Sequence, residues 1–108
     1  MIVALIDDLF FETKIRNAAT GAGRELRAVR SAGDLAPEAT LILVDLNASA
    51  FDAIAEIERL RSKTTARILA FVAHVDNERK ERALKAGADE VLPRSAFAHR
   101  LPEILRAD

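Results

Sequence analysis

The chain has 108 residues, half of them hydrophobic and 31% charged, with few glycines or prolines. That composition belongs to one globular domain able to bury its own core. A formal net charge of −1 gives no bulk attraction for nucleic acid or an acidic membrane. The absence of cysteine excludes disulfides, thiolate metal sites and a cysteine nucleophile, and agrees with a reducing, cytoplasmic setting.

The chain opens on "MIVALI", which has no basic flank and is broken by Asp7, so it is too short for a signal peptide or a membrane span. Ile2–Ile6 reads instead as a first strand. The stripe Phe11, Ile15, Ala18 then predicts a helix that stops at Gly21 or Gly23. A weaker apolar segment, Glu25–Val29, follows. "SAGDLAPEA", with Gly33 and Pro37, has room for a single helical turn. Leu41–Val44 is a further strand. Phe51, Ile54, Ile57 and Leu60 form a second helical stripe, with Glu56, Glu58, Arg59 and Arg61 around it. Arg67–Ala73 is another strand, Asn77–Ala86 a helix closed by Gly87, and Glu90–Pro93 the last strand. Pro102 predicts that the final segment is either two short pieces or a helix that starts late.

Near-continuous apolar runs suit strands covered on both faces, as in a parallel sheet. Strands alternating with helices therefore predict a three-layer α/β sandwich occupying residues 1–108 as one domain.

Ligands of open α/β sheets bind beyond the carboxyl ends of the strands. Those ends carry Asp7 and Asp8, Asp45, Val72 with His74, and Pro93 with Arg94. Two carboxylates about 4 Å apart repel by roughly 4 kcal/mol at an effective dielectric near 20. The cluster therefore calls for a cation or a proton. Arg94 can neutralise one charge, and hard oxygen donors suit magnesium. The alternative is that either aspartate of the pair caps the following helix.

These residues resemble a bacterial response-regulator receiver domain over essentially the whole chain. "LIDDL" resembles the family's acidic pair, "LILVDLN" the strand bearing its phosphoacceptor, and "ALKAGADEVL" the junction into its fifth strand. The resemblance implies a flavodoxin-like five-stranded parallel sheet in the order 2-1-3-4-5. It implies phosphoryl transfer from a histidine kinase or phosphotransfer protein to Asp45. Magnesium would be held by Asp7, Asp8, Asp45 and the backbone carbonyl of Asn47. Such a module is no enzyme in its own right. Its output would be a protein partner, or a second copy in a homodimer, on the face of the family's fourth helix, fifth strand and fifth helix. With nothing after Asp108, no output domain is expected.

Four positions depart from the pattern. Val72 replaces the Thr or Ser that binds the phosphoryl group, and Val91 replaces the aromatic switch residue. Arg94 replaces the lysine, and Ser95 the proline after it. A hydrogen bond to a charged group is worth roughly 1.5–3 kcal/mol, so losing the hydroxyl weakens coupling by a factor of about 10 to 150. Arg94 keeps the charge, yet its planar fork can form a standing ion pair with Asp45. A phosphorylation-independent pseudo-receiver, acting as an interaction or dimerisation module, is thus the competing reading. A flavin or nucleotide binder is the third, on fold analogy alone.

Elsewhere the expectations are bland. Phe11 belongs to the core, and Leu9 and Phe10 pack at a helix start unless they cover the acidic site or meet a partner. His74 is a loop residue and His99 is solvated. Arg24, Arg27 and Arg30 form a solvated face without interleaved aromatics. "GAG" at Gly21–Gly23 fails as a dinucleotide loop. Ser31 and Ser49 lack a histidine partner for hydrolysis.

Overall fold

A computed structural model describes residues 1–74 and 76–107, so that Asp108 lies outside the described residues. In chain order it contains strand β1 (Ile2–Leu5), helix α1 (Leu9–Gly21), β2 (Leu26–Val29), a 3-10 turn (Ala32–Asp34) and β3 (Leu41–Asp45). Helix α2 (Ala53–Lys63), β4 (Arg67–Val72), α3 (Asn77–Ala86), β5 (Glu90–Pro93) and α4 (Arg94–Ala107) follow. The five strands form one parallel sheet in the order β2-β1-β3-β4-β5. The three-layer sandwich and the 2-1-3-4-5 topology of a flavodoxin-like fold are therefore present as expected.

Alternation along each strand divides the core into two halves. Ile2, Ala4 and Ile6 of the first strand region, Leu41 and Leu43 of β3, and Leu69 and Phe71 of β4 face α1 and α4, where they meet Ile15, Phe97, Leu101 and Ile104. Val3, Leu5, Ile42, Val44, Ile68, Ala70, Val72 and Val91 face the other way, against Ala53, Ile57 and Leu60 of α2 and Ala83 of α3. Burial on both faces explains why these strands read as unbroken apolar runs.

The starts of α1, α2 and α3 are each fixed by an aspartate. Asp8 accepts from the Phe11 amide at 3.1 Å, Asp52 from Ala55 at 3.2 Å and Asp76 from Arg79 at 3.0 Å. These caps satisfy amide groups that a helix leaves unpaired in its first turn. At the other end of α1, Gly23 takes the left-handed conformation (φ 69°), while Gly21 stays inside the helix. Gly23 is thus the stop.

Three expectations are corrected. The final segment is one continuous helix with Pro102 inside it. Phe97, Leu101, Ile104 and Leu105 are all buried along it, and this burial offsets a proline cost of about 3 kcal/mol. Phe51 lies before α2 and not on its stripe. Glu56 is buried at 7% exposure, not solvated, because its carboxylate accepts from the Ala32 amide at 3.0 Å and from Arg59 at 2.9 Å. That contact fastens the short 3-10 turn onto α2.

Candidate functional site at the carboxyl ends of the strands

The sheet topology sets β1 and β3 side by side, with Leu5 opposite Val44, so Asp7, Asp8 and Asp45 emerge at one edge. Arg94, the first residue of α4, follows β5 at the same edge. Asp45 shares the side-chain parity of Leu41 and Leu43, and its register partner on β4 is Phe71. It therefore belongs to the α1–α4 side of the sheet and is 1% exposed.

Arg94 joins two of the three aspartates. One guanidinium nitrogen donates to Asp8 Oδ2 at 3.3 Å and the other to Asp45 Oδ2 at 3.1 Å. The sequence allowed Arg94 one charge to neutralise, and the fork reaches two. Its flat face lies over aromatic rings, 4.7 Å from the Phe11 centroid and 5.8 Å from that of Phe71. The buried Nε, beside these rings, has no hydrogen-bond partner. Phe71 in turn stacks on Phe97 at 4.4 Å, and Phe11 contacts both rings. A guanidinium suits this setting because it is planar, weakly hydrated and attracted to ring faces.

Other oxygens of the cluster are engaged by backbone and side-chain donors. Asp45 Oδ1 accepts from the Asn47 amide at 2.9 Å. Asn47 Oδ1 accepts from the Ala73 amide at 2.6 Å, tying the loop after β3 to the end of β4. Asp8 both caps α1 and pairs with Arg94, so the capping reading holds for this aspartate alongside its place in the cluster. Asp7 has a different set of donors. Its Oδ2 accepts from the amides of Ser49 and Ala50 at 2.9 and 2.8 Å and from the Ser49 hydroxyl at 3.3 Å.

These contacts split the carboxylates by charge preference. Backbone donors, led by Ala50, hold the Asp7 carboxyl below its usual range. Burial pushes Asp45 up, against the opposing pull of the Asn47 amide and the Arg94 charge. Among the described residues, no group of three or more acidic, histidine or cysteine side chains is placed to hold a metal ion.

Val72 and Val91 are buried on the opposite, aliphatic side of the sheet. His74 and His99 are exposed, as expected. Leu9 and Phe10 are exposed too, Phe10 at 94%, so they do not pack at the helix start. Ser49 and Ala50 were missed by the sequence reading. Their role depends on a loop returning to β1, and no local spacing announces it.

The fold that carries this site has known counterparts. A receiver domain protein of Methanospirillum hungatei JF-1, described as CheY-like, superposes with a TM-score of 0.79 at 16% identity, covering 98% of this chain and 93% of its own. The phosphorylated cyanobacterial phytochrome response regulator RcpA gives 0.77 at 17% identity, over 98% and 88% of the two chains. This chain has the receiver fold. A Burkholderia pseudomallei response regulator bearing a phosphorylated aspartic acid and a calcium ion gives 0.76 at 21% identity, over 95% and 69%. No protein-family model and no curated protein matches the sequence. Among the described residues, no helix is long and apolar enough to cross a membrane.

Proposed function

We propose that this chain is an atypical receiver module of two-component signalling that acts through protein–protein contacts. The observation that carries the reading is the buried Asp45 at the end of the central strand, flanked by Asp8 and Arg94 on a receiver fold. Asp45 is the phosphoacceptor position. An Asp45 carboxylate oxygen forms the new P–O bond while the donor's bond to phosphorus breaks, and the leaving group departs with the electron pair. Arg94, with five N–H donors, then has phosphoryl oxygens to bind in place of a carboxylate oxygen. The donor is a histidine kinase or phosphotransfer protein. The output face is that of α3, β5 and α4, where Val72, His74, Lys80, Val91 and Pro93 line a shallow cleft of about 70 Å³. A protein partner or a second copy of the chain docks there.

Magnesium fits the donors in kind, since Asp7, Asp8, Asp45 and the Asn47 carbonyl are hard oxygen ligands. It does not fit their arrangement. Asp7 is turned to Ser49 and Ala50, and the Arg94 fork spans Asp8 and Asp45. That ligand set belongs to a pocket from which Arg94 has withdrawn.

The same fork favours a second reading, a phosphorylation-independent module with a permanently neutralised Asp45. Val72 and Val91 support it, because neither can carry the family's switch. Intact mass after incubation with acetyl phosphate, beside an Asp45→Ala control, separates the two. A single phosphoryl gain lost in the control supports the acceptor. No gain from acetyl phosphate or from a histidine-kinase donor leaves the standing interaction module.

A further inference from the structure

Arg94 carries three features that a simple lysine replacement does not require. Its fork bridges Asp8 and Asp45, residues from two different strand ends. Its face rests on Phe11 and Phe71, which belong to α1 and β4. Its root is the first residue of α4, whose Phe97 stacks on Phe71. The guanidinium is thus held from below by rings and from the front by two carboxylates, and it is only 28% exposed.

We propose that Arg94 is the resident cation of this acidic pocket, a tethered replacement for the divalent ion. The inference rests on reading the pocket as that of a receiver. A tethered guanidinium competes with a free ion at the same two carboxylates without the entropic cost of capture from solution. The pocket consequently carries a positive charge of its own at every magnesium concentration. Because the fork joins Asp8, the cap of α1, to Asp45, it also holds the start of α1 against β3. Lysine cannot reproduce this, since one ammonium lacks the planar fork and its flat stacking on the rings.

The test is manganese binding, followed by electron paramagnetic resonance of the free ion, with the intact chain and no phosphodonor. Wild type is expected to bind no manganese at millimolar concentration. Arg94→Ala is expected to gain affinity by about 10- to 150-fold, the equivalent of one released charge-assisted hydrogen bond. Adding Asp8→Ala to that variant is expected to remove the gained site. Arg94→Gln, which keeps much of the side-chain volume, repeats the measurement should the alanine variant fold poorly. Wild-type binding as tight as that of both variants would overturn the proposal. So would variants that gain nothing while remaining folded.

The acetyl phosphate experiment reads Asp45 and this one reads Arg94, so the two can fail separately. A chain that takes a phosphoryl group and also binds manganese as wild type keeps the receiver reading and loses the resident cation. A chain that binds no manganese until Arg94 is replaced, yet is never phosphorylated, loses only the acceptor.

Discussion

The two faces of the sheet are built from different materials. The side covered by α2 and α3 has a buried core of aliphatic residues, from Val3 and Ile42 to Val72 and Val91, with Phe51 packed at its margin. The side covered by α1 and α4 contains the stacked rings of Phe71 and Phe97 with Phe11 against them, and Arg94 and Asp45 lie against this side. The resemblance implies a switch made by a hydroxyl and an aromatic residue at positions 72 and 91. Both positions lie on the aliphatic side and hold valine. The acidic pocket is anchored in the ring-lined face.

The strongest way to break that contrast is Phe71→Ala. It removes the centre of the ring stack and is expected to cost about 3–5 kcal/mol in denaturant unfolding. It also removes one of the two rings beneath the Arg94 guanidinium. Arg94→Ala comes next, at about 1.5–3 kcal/mol, since it leaves the buried Asp45 with the Asn47 amide as its remaining donor. Magnesium added to that variant is expected to recover part of the loss, whereas it leaves wild type unchanged. Ile68→Val, on the aliphatic side, is expected to cost only about 0.5–1.5 kcal/mol and to leave the pocket unaltered.

A finer distinction is one of sign within the pocket. The folded Asp7 carboxyl is held below its unfolded value, so its contribution is present above that value and lost as pH falls through the folded one. Asp45 is raised, so the folded state binds its proton more readily, and stability is lost as pH rises from the unfolded value through the folded one. Unfolding measured across the acid range should show Asp7→Asn losing its disadvantage as pH falls. The same scan should show wild type gaining on Asp45→Asn. Parallel curves for the two variants would contradict the assignment.

Much of this was legible in the sequence, because it depends on local pattern. Apolar runs gave the strands within a residue or so at each end, and "NERKERALKA" before Gly87 gave α3 in full. The acidic pair, Asp45 and Arg94 were found because parallel strands must present their ends together. What escaped depends on tertiary contact. Pro102 stays helical because four buried side chains hold α4 to the sheet. Glu56 is buried because the turn at Ala32 offers it an amide. Asp7 is bound by Ser49 and Ala50, and the rings under Arg94 come from α1 and β4, far apart in the chain. Leu9 and Phe10 read as packing residues, yet they face solvent because the stripe of α1 begins at Phe11.

The central claim is that Arg94 is fixed between Asp8 and Asp45 whether or not a divalent ion is offered. The Nε–H of Arg94 is buried and unpaired beside the rings, which gives it a nuclear magnetic resonance signature distinct from surface arginines. Nitrogen-15 spectra of the arginine side chains should contain one Nε–H signal shifted by ring currents and slow to exchange. Added magnesium should not move it, and Arg94→Lys should delete it. A full set of averaged, rapidly exchanging arginine signals, or a ring-shifted one that collapses into that set as magnesium is added, would mean that Arg94 is a displaceable neighbour and not the pocket's own cation.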